Sequence, residues 1–200
     1  MKSYYVVDSN PDGDSIPYFF DSEWAPELPS FELPRASPTI GMFAKHYTLK
    51  AKVEGLNVDV LLGDFIASKN FVQLCESLEA EFVSIPIDLV TARNVKTVKN
   101  YYFFCVTGRS AILDKDASQF ELMDERLLSP RDERGSFDVF SRIDRFVIKE
   151  DFKEDLIYCE EIKRIVCSIN FKAKFEELGL TGLNFTEINE GFVYAPWEGF

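Results

Sequence analysis

The chain has 200 residues, with 22 Lys or Arg against 34 Asp or Glu, a formal charge of −12 and a pI near 4.6. That length suits one domain with a sizeable core, expected to span residues 1–200. That much negative charge disfavours nucleic acid and anionic membrane surfaces as partners and favours a basic protein surface.

Tyr4 to Val7 reads as the first strand. Met1-Lys2-Ser3 leads into only a short apolar stretch before Asp8, so no signal peptide is read, and no apolar run reaches membrane-spanning length. Asp8-x-Asn10-x-Asp12-Gly13-Asp14 is similar to the first half of a calcium loop. Its twelfth position is Phe19, however, where a bidentate Glu is needed, and Pro11 interrupts it, so an Asx/Gly turn is predicted and no metal. Residues 11–38 contain Pro11, Pro17, Pro26, Pro29, Pro34 and Pro38, and little regular structure is expected there. Phe19, Phe20, Trp24, Phe31 and Leu33 are spaced through this stretch, which predicts an extended arm packed on the core.

Tyr47-Leu49-Ala51-Val53 alternates with polar residues, the period of a half-buried strand. Val58 to Leu62 is another candidate strand, followed by a helix near Lys69 to Leu78 and a strand near Phe82 to Ile87. Tyr101 to Val106, the turn Thr107-Gly108-Arg109-Ser110 and Ala111 to Leu113 predict a hairpin. Asp124 to Gly135 is polar, contains Pro130 and predicts an exposed loop. Strands are expected near Phe137 to Phe140, Ile143 to Ile148 and Leu156 to Cys159. The order of elements predicts an α+β fold, a few helices against a largely antiparallel sheet.

The densest stretch is Ser168 to Phe185. Ser168 is an N-cap candidate. Phe171, Phe175 and Leu178 fall on one helical face, Gly179 sits where a left-handed C-cap is wanted, and Thr181-Gly182 turns the chain into a strand through Leu183 and Phe185. An echo begins one hundred residues earlier, at Ser68-x-Asn70-Phe71 with Cys75, Glu76 and Leu78. A strand-helix-strand duplication and chance similarity between two capped helices both account for it.

Ser-x-x-Phe, an amphipathic helix and Glu177-Leu178-Gly179-Leu180-Thr181-Gly182-Leu183-x-Phe185 resemble the C-terminal signature of a bacterial immunity-protein family of polymorphic toxin systems, typified by a myxobacterial domain of otherwise unassigned function. The resemblance extends through Tyr101 to Val106, Ala111 to Asp114, Ser118 to Glu121, Ile143 to Ile148 and the Tyr4 to Val7 opening. It implies a protein that binds a cognate toxin stoichiometrically and blocks its active site or its access to substrate. The motif residues Ser168, Phe171, Phe175, Leu178, Gly179, Thr181, Gly182 and Phe185 are core and turn formers, so they speak for kinship of fold.

Groups that carry chemistry are few. Asp114, Asp116 and Glu121 cluster, as do Glu150-Asp151 and Glu154-Asp155, and charge alone makes these seven the candidate contacts for a basic toxin surface. The rival reading is a small carboxylate-dependent hydrolase or modifier using Asp114, Asp116 and Glu121. A third is self-assembly through the aromatic tail, residues 191–200. His46 is the one histidine and has no triad or zinc pattern around it. Cys75, Cys105, Cys159 and Cys167 lack metal-binding spacing and lie in apolar runs, as buried thiols of a reducing cytoplasm do. No cofactor and no catalytic residue are predicted. Trp24 and Trp197 are either interface anchors or pins for the arm and tail.

Overall fold

The structure is a computed structural model that describes residues 3–10, 21–33, 35–92, 97–128 and 138–197. It is an α+β fold. A six-stranded sheet has the order β2 (Ser22–Ala25), β3 (Tyr47–Ala51), β6 (Phe82–Val90), β7 (Tyr101–Val106), β5 (Ile66–Ser68), β4 (Val60–Leu61). A five-stranded sheet has the order β13 (Leu183–Glu187), β1 (Tyr4–Ser9), β12 (Arg164–Ser168), β11 (Leu156–Cys159), β8 (Arg109–Ser110). A separate pair joins β9 (Gln119–Leu122) to β10 (Phe140–Arg145). Helix α1 (Lys69–Ser77) leads from β5 to β6 and helix α2 (Ile169–Glu177) from β12 to β13. All strand pairs are antiparallel except β3–β6 and β8–β11.

The two sheets contain the same unit. In the first, β4-β5-β7-β6 lie side by side and α1 crosses over the intervening β7; in the second, β11-β12-β1-β13 do the same, with α2 crossing over β1. The register matches residue for residue: Ser68 lies opposite Tyr101 as Ser168 lies opposite Tyr4, and Val60 opposite Ala67 as Leu156 opposite Cys167. Both Ser hydroxyls cap their helix, accepting the amide of Phe71 at 3.3 Å and of Phe171 at 3.1 Å. Each also donates to a carboxylate at the head of the neighbouring strand, Asp59 in one unit and Asp155 in the other. The first helical amide donates to the residue before the central strand, Lys69 to Asn100 and Ile169 to Ser3, both at 2.9 Å. The Ser-x-Asn-Phe echo is therefore one visible part of a structural repeat. Its central strand follows β6 in the first unit, whereas in the second it comes from the far N-terminus.

Three apolar layers follow from strand alternation. Phe104, Val106 and Val7 point inward to a shared core built around both helices, where Phe71 meets Phe104, Phe171 and Phe175 with ring centroids at 5.1, 6.1 and 6.2 Å. The alternate residues Tyr101, Phe103 and Cys105 face an outer core with Tyr47, Leu49, Ile85 and Ile87, and Trp24, Leu28, Phe31 and Leu33 pack on it. Tyr4 and Val6 face a second outer core with Ile112, Phe140, Ile143 and Val166, covered in part by Phe192 and Tyr194. Trp24 thus pins the residues that precede β3, edge-on to Tyr47 and Phe103, whereas Trp197 is 63% exposed. All four cysteines are buried and free.

Three expectations are corrected. Residues 22–25 form a strand within the proline-rich stretch, because their backbone completes the free edge of β3; residues 11–20 lie outside the described part. Tyr101 to Val106 and Ala111 to Leu113 do not form a hairpin. The chain leaves the first sheet at Thr107 and β8 pairs in parallel with β11, where Gly108 C=O accepts the Tyr158 amide at 2.8 Å. The buried Glu161 carboxylate holds the chain on that course, accepting the amides of Ile112 and Leu113 at 3.2 and 2.9 Å. Of the predicted strands at Phe137 to Phe140 and Ile143 to Ile148 the structure makes one, β10, with Ile148 in a single bridge to Leu113. The expected exposed loop from Asp124 holds where it is described, with residues 124–127 exposed around one 3-10 turn, Glu125–Leu127, capped by Asp124; residues 129–135 of it lie outside the described part.

Candidate functional site

The two repeats meet along two seams, each where the turn after one helix approaches the outermost of the other repeat's four strands, β4 or β11. At the first seam, the turn after α2 is pressed onto β4. Thr181 C=O accepts the amides of Asp59 and Val60 at 3.1 and 3.2 Å, and its own amide and hydroxyl donate to Asp59 Oδ2 at 3.1 and 3.2 Å. Asp59, 2% exposed, also accepts from Ser68 Oγ at 2.7 Å and from Lys99 Nζ at 2.8 Å. Gly182 stands so close that a Cβ would lie 2.1 Å from Val60 O, and its φ is +111°. Only glycine fits there.

At the second seam, the turn after α1 faces β11 and a cleft of about 400 Å³ separates them. Both helices end alike, with a left-handed residue, Glu79 at φ 53° or Gly179 at φ 63°, and a closing bond from Ala80 to Cys75 or Leu180 to Phe175. Beyond that point the turns differ by one residue. Glu81 C=O accepts the Thr107 amide as Gly182 C=O accepts the Asn10 amide, so Glu81 corresponds to Gly182 and Thr181 is the extra residue. Among the described residues no backbone bond joins Glu81 to Asp155 or Leu156.

The cleft is lined by Glu79 and Glu81 from one repeat and Lys153, Glu154 and Asp155 from the other, with Gly108 to Ser110 along one side. Arg109 is committed elsewhere: it pairs with Glu160 at 3.4 Å, donates to Leu33 C=O and lies over the Tyr158 ring at 5.0 Å. Asp155 accepts from Ser168 Oγ and from Asn170 Nδ2 at 3.2 Å. Its charge, after the larger effect of burial, helps push the Tyr4 hydroxyl up to about 12.

Of the seven charge-based candidates, Glu154 and Asp155 line the cleft. Glu150 and Asp151 are exposed in the turn before β11. Asp114 serves its own loop, its Oδ1 accepting the amides of Asp116 and Ala117 at 3.0 and 3.1 Å, while Asp116 and Glu121 are exposed. Glu79 and Glu81 escaped the sequence reading, because their nearness to Asp155 depends on the packing of the two repeats. His46 pairs with Asp88 on the surface at 2.9 Å. Asp8, the head of the calcium-like run, pairs with Arg164, and the rest of that run lies outside the described residues apart from Asn10. No group of three or more His, Cys, Asp or Glu set to hold a metal occurs among the described residues.

The chain is thus an acidic two-repeat α+β protein with a charged cleft between its halves. Comparison with family models makes that specific: residues 32–190 match the Immunity protein family (Imm11), and the chain belongs to that family. The matched span contains the Ser168 to Phe185 signature and leaves the Tyr4 to Val7 opening outside. Comparison with the curated proteins gives no match. Family membership supports a toxin-immunity role and a non-enzymatic one. Among the described residues no helix is long and apolar enough to cross a membrane.

Proposed function

We propose that this chain neutralises a cognate bacterial toxin by binding it stoichiometrically and blocking its active site or its access to substrate. The observation that carries the reading is the family match over residues 32–190. The charge of −12 gives it physical content, since a toxin with a basic contact surface is drawn to this chain and carboxylates take the place of nucleic-acid phosphates. Glu150, Asp151, Glu154, Asp116 and Glu121 are exposed and Asp114 and Asp155 half-buried, and these seven carboxylates are the candidate contacts. Asp114 is engaged with the amides of its own loop, which makes it the least available of these carboxylates.

Co-expression with the product of the neighbouring toxin gene tests the proposal. Rescue of growth together with a co-purified 1:1 complex is expected, and absence of both overturns it. Association is expected to slow on the order of 10-fold from low to moderate ionic strength. A salt-insensitive rate removes the electrostatic part of the reading.

A further inference from the structure

The difference between the two seams points to the contact itself. At the closed seam, a backbone segment of this chain seats Thr181 against the head of a strand, donating an amide and a hydroxyl to a carboxylate and accepting two strand amides. At the open seam the corresponding carboxylate, Asp155, heads the corresponding strand, yet the turn that faces it is one residue shorter and a cleft lies between them. The strand head that holds a threonine in one repeat is thus left uncovered by the facing turn in the other: Asp155 is half-buried, and its Oδ2 takes the exposed Asn170 side chain at 3.2 Å where Asp59 Oδ2 takes Thr181 and Lys99. The cleft lining carries Glu79, Glu81, Glu154 and Asp155 against Lys153 and the Glu160-paired Arg109, a negative balance.

We propose that the open seam receives a loop of the toxin, seated between Glu79–Glu81 and Asp155–Ile157 in the manner of Thr181. The loop has a hydroxyl-bearing residue to donate to Asp155, a free carbonyl for the strand edge and Lys or Arg beside it for the rim carboxylates. This rests on the reading that the chain binds a toxin; it adds where the toxin enters and the chemistry of the segment that does so.

The test closes the seam. Replacing Glu79-Ala80-Glu81 by Gly-Leu-Thr-Gly gives the turn after α1 the length and composition of the turn after α2. The probe is the purified product of the neighbouring toxin gene, with binding followed by calorimetry and protection by growth. Wild-type chain that fails to bind overturns the toxin reading itself, separately from the seam. Where the wild type binds, the closed-seam variant is expected to remain folded, to resist urea at least as well, and to bind on the order of 100-fold more weakly. Binding within about threefold of wild type overturns the proposal. Should that variant not fold, Glu79→Lys with Glu154→Lys alters two exposed side chains and leaves the caps intact. A loss on the order of 10-fold is expected from this pair and an unchanged affinity overturns the proposal. A wild-type chain that dimerises alone, and a closed-seam variant that does not, assigns the cleft to a second copy and overturns the toxin loop.

Discussion

The seam at Asp59 and the seam at Asp155 begin from the same local chemistry and end differently. Each has a carboxylate at the head of the repeat's outermost strand, a capping serine that donates to it and a tyrosine on the central strand. Each tyrosine also donates to a carbonyl ahead of that carboxylate, Tyr101 to Val58 at 2.9 Å and Tyr4 to Phe152 at 3.2 Å. One inserted residue separates the two outcomes. With Thr181 present, Asp59 is buried under five cross-seam bonds; without its counterpart, Asp155 stays half-buried beside a cleft. A repeat can thus keep its fold-defining bonds and still leave one of its two junctions for another task.

The largest expected effect breaks the closed seam from the glycine side. Gly182→Ala places a Cβ on Val60 O at a φ that L side chains avoid, and is expected to cost about 4 kcal/mol or more. Gly108→Ala at the open seam meets the Glu81 Cβ at 3.2 Å and its carbonyl and carboxylate oxygens at 3.8 Å, a far milder crowding, and is expected to cost about 1 kcal/mol. Urea midpoints of the two variants measure the contrast, and equal losses would mean the seams are not distinct. Next comes the carboxylate. Asp59→Ala strands the Thr181 amide and hydroxyl and the Ser68 hydroxyl and leaves Lys99 with the Asn57 carbonyl alone, an expected loss of about 3 kcal/mol. Asp155→Ala leaves the buried Ser168 hydroxyl without an acceptor and an exposed asparagine, and is expected to cost about 1 to 2 kcal/mol.

Much of this was legible in the chain. The caps at Ser68 and Ser168, the glycine stop at Gly179 and the alternation of β3 follow from local chemistry that operates wherever the sequence occurs. The junctions were not, because they depend on which segments pair. Tyr101-Tyr102-Phe103-Phe104 and Tyr4-Tyr5-Val6-Val7 look alike as runs, but nothing local says that Tyr4 completes a sheet with residues 164–187. The mistaken hairpin at Thr107–Ser110 has the same origin, since its turn residues are good turn formers and only the waiting edge of β11 redirects them. The role of Thr181 emerges only when the two registers are set side by side.

Alkaline pH tests whether the closed seam is strong enough to make the halves one cooperative unit. Burial raises the thiols of Cys75 and Cys105 in one half and Cys159 and Cys167 in the other, Cys105 up to about 12. Because the folded state holds these protons more tightly, their stability is fully present below the ordinary thiol value and is lost as pH rises through the folded one. Each buried thiol is expected to remove roughly 1.4 kcal/mol per pH unit above about pH 9. Urea unfolding at pH 7 and pH 10 is expected to remain a single transition at both, with a lower midpoint at pH 10. Two transitions at pH 10 would show the halves melting apart.

The smallest effect returns to the single residue at which the two helix ends differ in kind. Glu79 and Gly179 occupy the same left-handed position after α1 and α2, and both close the same bond back to the helix. A non-glycine residue there bears steric strain from its Cβ, and Glu79 has open solvent around it with no packing to offset that strain. Glu79→Gly is therefore expected to stabilise the chain by about 0.5 kcal/mol, read as a small upward shift in urea midpoint. A glutamate kept at a position where glycine is more stable is what a rim carboxylate of a partner cleft requires. If Glu79→Gly gains stability and weakens toxin binding together, the residue serves the partner at the expense of the fold. If it gains stability and leaves binding untouched, the rim of the open seam is narrower than Glu79.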